Sequence, residues 1–222
     1  SFVLLLALPS LLWWLAESPT IQAMQDKGFF ALRSLLVDYS GVLAIAVMSI
    51  AMLLALRSVR AEALLGGMDK GFRLHKWLGI TGLALAVLYW LWAKGPKWAV
   101  GWGWLERPER GHGAHPEQAV ALFRFFQEQR GTAEMIGEWA FYAFVALALV
   151  ALIKRFPYRR FFQSHRLMAL VYLALVVHAV ILLPFDHWST PLGVFLAVLL
   201  AGGSVAAVVS LTGRIGARHR FT

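Results

Sequence analysis

Six long apolar runs separated by charged connections decide what this chain can fold into. They lie at about 1–16, 40–56, 72–93, 138–153, 166–184 and 190–212. A helix needs roughly 20 mostly apolar residues to cross about 30 Å of hydrocarbon. Lipid offers no partner to backbone N–H and C=O groups, so isolated spans of this kind are helical. Only 15% of the residues are charged and 59% are hydrophobic, whereas soluble domains carry about 25% charged residues. The expected fold is an all-α integral membrane protein, a six-transmembrane-helix bundle over residues 1–213. The first run is short and begins at Ser1, with no basic region before it and no small-residue cleavage site after it. It reads as a trimmed first span rather than a signal peptide. No cysteine occurs, which excludes disulfides, Fe–S clusters and thiol chemistry in this chain.

The net charge of +9 would suit a nucleic-acid partner if it were spread over a surface, but it is segregated. Arg57, Arg60, Lys70, Arg73 and Lys76 follow the second run. Lys154, Arg155, Arg159, Arg160 and Arg166 follow the fourth, and Arg214, Arg218 and Arg220 follow the sixth. These are 13 of the 21 basic residues, joined on that side only by Glu62 and Asp69, while the other connections hold 8 basic and 10 acidic residues. Excess Lys and Arg in short loops marks the cytoplasmic face. Both termini are therefore expected in the cytoplasm, with membrane lipid and no nucleic acid as surroundings.

The longest connection, Lys94 to Glu138, lies on the opposite side. Trp98, Trp102 and Trp104 near its start suit interface anchors. Its later part, PEQAVALFRFFQEQRG, has the pattern of a short amphipathic helix lying on the membrane surface or over the bundle. Pro157, in the tight connection IKRFPYRRFFQS, makes spans four and five antiparallel neighbours.

Of seven histidines, His75 opens span three, His165 opens span five and His178 lies deeper in span five. His112, His115, His187 and His219 fall in connections or the tail; the first three read as solvated loop residues that could also gather near an outer acceptor. Ionisable side chains inside a membrane are costly and usually functional. One such histidine is readily explained by a bond to a neighbouring helix; three together point to a cofactor. Neutral imidazole is an iron ligand, and two from facing helices can clamp a haem inside a bundle. Spans three and five run the same way, so His75 and His165 lie at similar depth near the cytoplasmic side. His178 is about 20 Å further along the axis. This predicts an inner and an outer b-type haem. An ideal helix, however, places residues 165 and 178 about 140° apart around its axis. A bulge, a kink or approach from different flanks must reconcile that angle.

The combination resembles the ferric reductase-like transmembrane domain shared by NADPH oxidases, ferric reductases and their bacterial relatives. The shared features are six spans, the fifth-span motif HRLMALVYLALVVH and the opening HKWLG of the third. The resemblance covers nearly the whole chain. It implies transmembrane electron transfer from a flavin/NAD(P)H reductase module, in cis or in trans, through haem b to oxygen or ferric iron, in a bacterial inner membrane. FAD and NAD(P)H would bind the reductase module, and residues 214–222 are expected to be a cytoplasmic stub leading into it. Gly79 and Gly82 could admit a flat macrocycle or serve helix packing. Arg73, Lys76, Arg159 and Arg160 could pair with haem propionates, although topology alone explains basic residues there.

One departure stands out. The family's third span usually carries a second histidine about fourteen residues after the first, and here that position is Tyr89. Three arrangements stay open: His178 alone with an open or water-filled sixth position, a ligand recruited from His112, His115 or His187, or no outer haem. Tyr89 also fits an interfacial aromatic belt beside Trp90 and Trp92. Two other classes stay open too. One is a haem/quinone electron-transfer subunit with a separate dehydrogenase; the other is a non-redox transporter whose histidines relay protons.

Overall fold

A computed structural model describes residues 2–23, 28–56, 66–106, 121–153 and 158–212, without the side chains of 22–23, 121–123 and 158–163. The described elements are α1 (Phe2–Ala23), α2 (Gly28–Ala55), α3 (Met68–Gly101), α4 (Ala121–Leu152), α5 (Tyr158–Leu182), a 3-10 turn (Phe185–Ser189) and α6 (Pro191–Leu211). Six of them are long and apolar enough to cross a membrane. The protein is an all-helical integral membrane protein, as expected from the apolar runs.

Helices α2, α3, α4, α5 and α6 close into a ring, each packed on the next, and α6 returns to α2. Helix α1 lies outside it against α2 and α6. One half of the bundle is solid. There Val42, Ile45 and Ala46 of α2 meet Ala169 and Tyr172 of α5 and Leu192, Leu196 and Leu200 of α6. Lipid tails are as apolar as these side chains, so close packing and interhelical hydrogen bonds hold the helices together. Tyr172 shows both. Ser49 Oγ donates to the Ile45 carbonyl at 2.7 Å, so the Tyr172 hydroxyl donates to Ser49 Oγ at 2.8 Å. A Cβ at Gly203 would collide with that same hydroxyl. The small residue lets α6 come close enough to cover the bond.

Two helices, α1 and α3, continue through proline, and at Pro19 and Pro96 a side chain bonds the carbonyl that loses its amide. Pro96 lacks the N–H that would bond the Trp92 carbonyl in α3. Arg33 of α2 supplies the donor: Nε bonds Trp92 O and Nη2 bonds Ala93 O, both at 3.0 Å. In α1, Pro19 frees the Leu15 carbonyl, and Ser18 Oγ donates to it at 3.2 Å. Helix α3 therefore runs past its expected end near residue 93. Lys94 then pairs with Glu138 of α4 at 2.8 Å.

The amphipathic stretch before span four is not a separate surface helix. From Ala121 onward it is the first part of α4, which runs unbroken to Leu152. No proline interrupts it, and its polar first turns extend beyond the apolar part of the span. Helices α4 and α5 are close neighbours, as the short connection between them requires. Trp98, Trp102 and Trp104 are exposed, as interface anchors would be.

Candidate functional site

The other half of the bundle is hollow. Helices α3 and α5 face one another across two cavities instead of packing together. The first, about 340 Å³, is lined by His75, Lys76 and Gly79 of α3, Ala51 and Met52 of α2, and His165, Met168 and Tyr172 of α5. The second, about 220 Å³, is lined by Tyr89 of α3, His178 of α5, Gly41 and Asp38 of α2, and Arg130 and Gly137 of α4. Met48 and Phe144 border both.

The α5 residues lining the two cavities resolve the angular conflict between His165 and His178. They are His165, Met168, Ala169, Tyr172, Leu175, His178, Ala179 and Leu182. Steps of three and four along a helix make one broad stripe. His178 stands at one edge of it and His165 toward the other, beside Ala169, so one broad face of a regular helix serves both cavities with no bulge.

In the first cavity the His75 and His165 rings stand 6.0 Å apart between centres, with planes crossed at 76°. An imidazole nitrogen bonds a metal at about 2 Å and the ring centre lies about 1 Å behind it, so two rings clamping one ion stand roughly 6 Å apart. His75 Nδ1 donates to the Ala51 carbonyl at 3.0 Å, since a carbonyl can only accept. That bond fixes the tautomer with the lone pair on Nε2 and orients the ring, as outer partners of metal-bound histidines do. A Cβ at Gly79 would meet nothing within 4 Å, so this face of α3 opens on the cavity; Gly82 instead packs on Val47 and Met48. The residues present therefore fit a bis-imidazole haem. Lys76 lines this cavity. Arg73 is exposed and is not among the lining residues, and the side chain of Arg159 lies outside the described residues.

In the second cavity, His178 Nδ1 donates to the Ala133 carbonyl of α4 at 2.8 Å. Its Nε2 therefore carries the lone pair, and the Tyr89 hydroxyl donates to it at 3.0 Å. The two rings stand 5.9 Å apart at 90°. Tyr89 thus occupies the place opposite His178, at the spacing a second histidine would take. Trp90, beside it, stacks on Phe141 of α4 at 5.4 Å. Two glycines seat the pair. A Cβ at Gly137 would collide with the His178 imidazole, and one at Gly41 would lie 3.3 Å from the Tyr89 ring.

One expectation fails. His187 is not a solvated loop residue: it is 6% exposed, in the 3-10 turn between α5 and α6. Pro184 precedes that turn, and Thr190 caps α6 immediately after it, accepting from the Gly193 amide at 3.4 Å. A Cβ at Gly193 would strike the turn's backbone, so glycine lets the turn fold onto the start of α6. His187 meets Glu17 of α1 and Asp38 of α2 there. Sequence reasoning missed both acids, although a carboxylate inside an apolar span is itself a signal. Asp38 fell just before the expected start of span two. His112 and His115 lie outside the described residues.

The fold and the two cavities define a helical membrane domain with paired ring side chains facing one another at two levels. Residues 40–176, more than half of the chain, match the family described as ferric reductase like transmembrane component. The chain belongs to that family, which points to transmembrane electron transfer by the membrane domain of an oxidoreductase. No curated protein and no solved structure matches it significantly.

Proposed function

We propose that this domain carries electrons through b-type haem from a cytoplasmic flavin/NAD(P)H reductase module to an acceptor outside, oxygen or ferric iron. The observation that carries this reading is the His75–His165 pair, facing across an apolar cavity at 6.0 Å. Haem bound there supplies a one-electron Fe(III)/Fe(II) couple. His75 and His165 hold it from α3 and α5, with the Ala51 carbonyl orienting His75. Arg73, Lys76 and Arg159 sit at the same end of the bundle, where cations favour propionates. The apolar lining excludes water, which limits the solvent rearrangement that accompanies a change of charge. His178, with Tyr89 opposite, marks the second, outer level.

The experiment is a reduced-minus-oxidised spectrum of the purified domain with haem quantitation. A sharp α-band and at least about one haem per chain are expected. A folded preparation, reconstituted with haem, that shows no α-band overturns the reading and leaves a histidine proton relay.

The His75 end of the bundle carries the basic excess and so faces the cytoplasm. A reporter fused after Thr222 is expected to be active only in the cytoplasm. Activity confined to the far side would reverse the direction of electron flow.

A further inference from the structure

We propose that Glu17, Asp38 and His187 form a binding site for a divalent first-row transition-metal cation, of which Zn(II) is the test ion. The three residues come from α1, α2 and the 3-10 turn, far apart in sequence. One donor atom from each lies within 4.8 Å of the other two. His187 Nε2 stands 3.0 Å from Glu17 Oε1 and 3.5 Å from Asp38 Oδ2. Donors about 2.0–2.2 Å from one ion in tetrahedral or octahedral array stand roughly 3.0–3.5 Å from each other. Both distances from the imidazole fall in that range.

A plain histidine–carboxylate ion pair fits less well. His187 is 6% exposed, and its Nε2, though close to both carboxylates, is aligned for a hydrogen bond with neither. The nitrogen lies within the cluster without a hydrogen-bond partner, as a nitrogen that ligates an ion would. Glu17 is 8% exposed, and its Oε2 is buried without a hydrogen-bond partner.

Charge leads to the same conclusion. Among the described residues, neither acid pairs with a lysine or arginine. Two carboxylates with a neutral imidazole carry −2, and with an imidazolium −1. A divalent cation brings the buried cluster to zero, where an uncompensated charge would be costly. One imidazole and two carboxylates make a borderline-to-hard ligand set suited to first-row divalent ions. Trp13 adds an outer bond, its Nε1 donating to Asp38 Oδ2 at 2.6 Å. Such a donor orients a ligating carboxylate. Asp38 also lines the cavity of His178 and Tyr89, which places the ion beside the second level. The proposal does not depend on haem at either level.

The test uses the purified domain in detergent, stripped with a chelator and then titrated with ZnCl2. Bound zinc is measured by mass spectrometry after gel filtration, and haem is quantified in the same samples. About one tightly held zinc per chain is expected in the unmodified protein. His187→Gln and Glu17→Gln should each weaken it about 100-fold or more with haem content unchanged, and Asp38→Asn should weaken zinc to the same extent. Trp13→Phe should weaken it about 10- to 100-fold, as loss of an outer partner does. If a variant does not fold, the unmodified protein still decides, through a zinc-dependent rise in melting temperature that saturates at one equivalent and is absent with Mg(II). Zinc that is not retained, or zinc retained equally by all folded variants, overturns the proposal and leaves the cluster as an ion-pair clamp between α1, α2 and the turn.

Discussion

Replacing His75 or His165 with alanine is expected to abolish the low-spin spectrum of the inner haem and to lower bound haem by up to about one per chain. The two rings face each other at 6.0 Å from helices on opposite sides of the first cavity. Neither ring has a substitute close by, because the rest of the first cavity is largely apolar apart from Lys76, Tyr172 and Ser210. Removing one ring leaves iron held from one side, so even a retained haem turns five-coordinate and high-spin. Each variant is purified and read by haem quantitation and by its visible spectrum. Gly79→Leu is a useful companion. It keeps both histidines but puts a side chain into the space that Gly79 leaves open, one turn from His75, so haem loss with both ligands present points to the cavity itself. Full low-spin haem in both histidine variants would remove these residues from the site.

Tyr89→His is expected to create a second low-spin site and to raise bound haem toward about two per chain. The Tyr89 hydroxyl donates to the lone pair of His178 at 3.0 Å, and the rings are already 5.9 Å apart. A neutral phenol is a far poorer donor to iron than a neutral imidazole. The unmodified outer level should accordingly hold haem weakly, or with five-coordinate iron on His178. Imidazole at position 89 would supply the missing ligand without moving a helix. Tyr89→Phe separates the roles: it removes the hydroxyl, keeps the ring and should yield no low-spin gain. Gly137→Val should do the reverse of Tyr89→His, since a side chain there collides with His178, and the outer haem should be lost while the inner one stays. Two six-coordinate low-spin haems in the unmodified protein would show that another ligand completes the outer level.

Much of the architecture was legible in the chain itself. Length and apolarity alone specify six membrane helices, because lipid leaves a spanning backbone no other way to satisfy its hydrogen bonds. The pairing of His75 with His165 followed from equal depth on two spans running the same way, and depth along a helix is a simple count of residues. The position opposite His178 was also countable, and the tyrosine found there is the tyrosine that bonds it.

Rotation and lateral neighbours were not countable. The angle between His165 and His178 looked like a conflict until helix α5 was seen to turn one wide stripe toward two stacked cavities. The amphipathic segment before span four looked separate, because polarity along a helix does not reveal whether the helix is broken. Arg33 answers for the carbonyl freed by Pro96 only because α2 passes alongside α3, and no local pattern announces that. Glu17, Asp38 and His187 belong to three segments whose meeting depends on α1 lying against α2 and on a turn folding back over both. Sequence periodicity reports which residues share a helix face and how deep they lie. Which faces meet is decided by close packing among all the helices at once, so the cavities, the seats made by Gly41 and Gly137, and the buried cluster exist only in the tertiary structure.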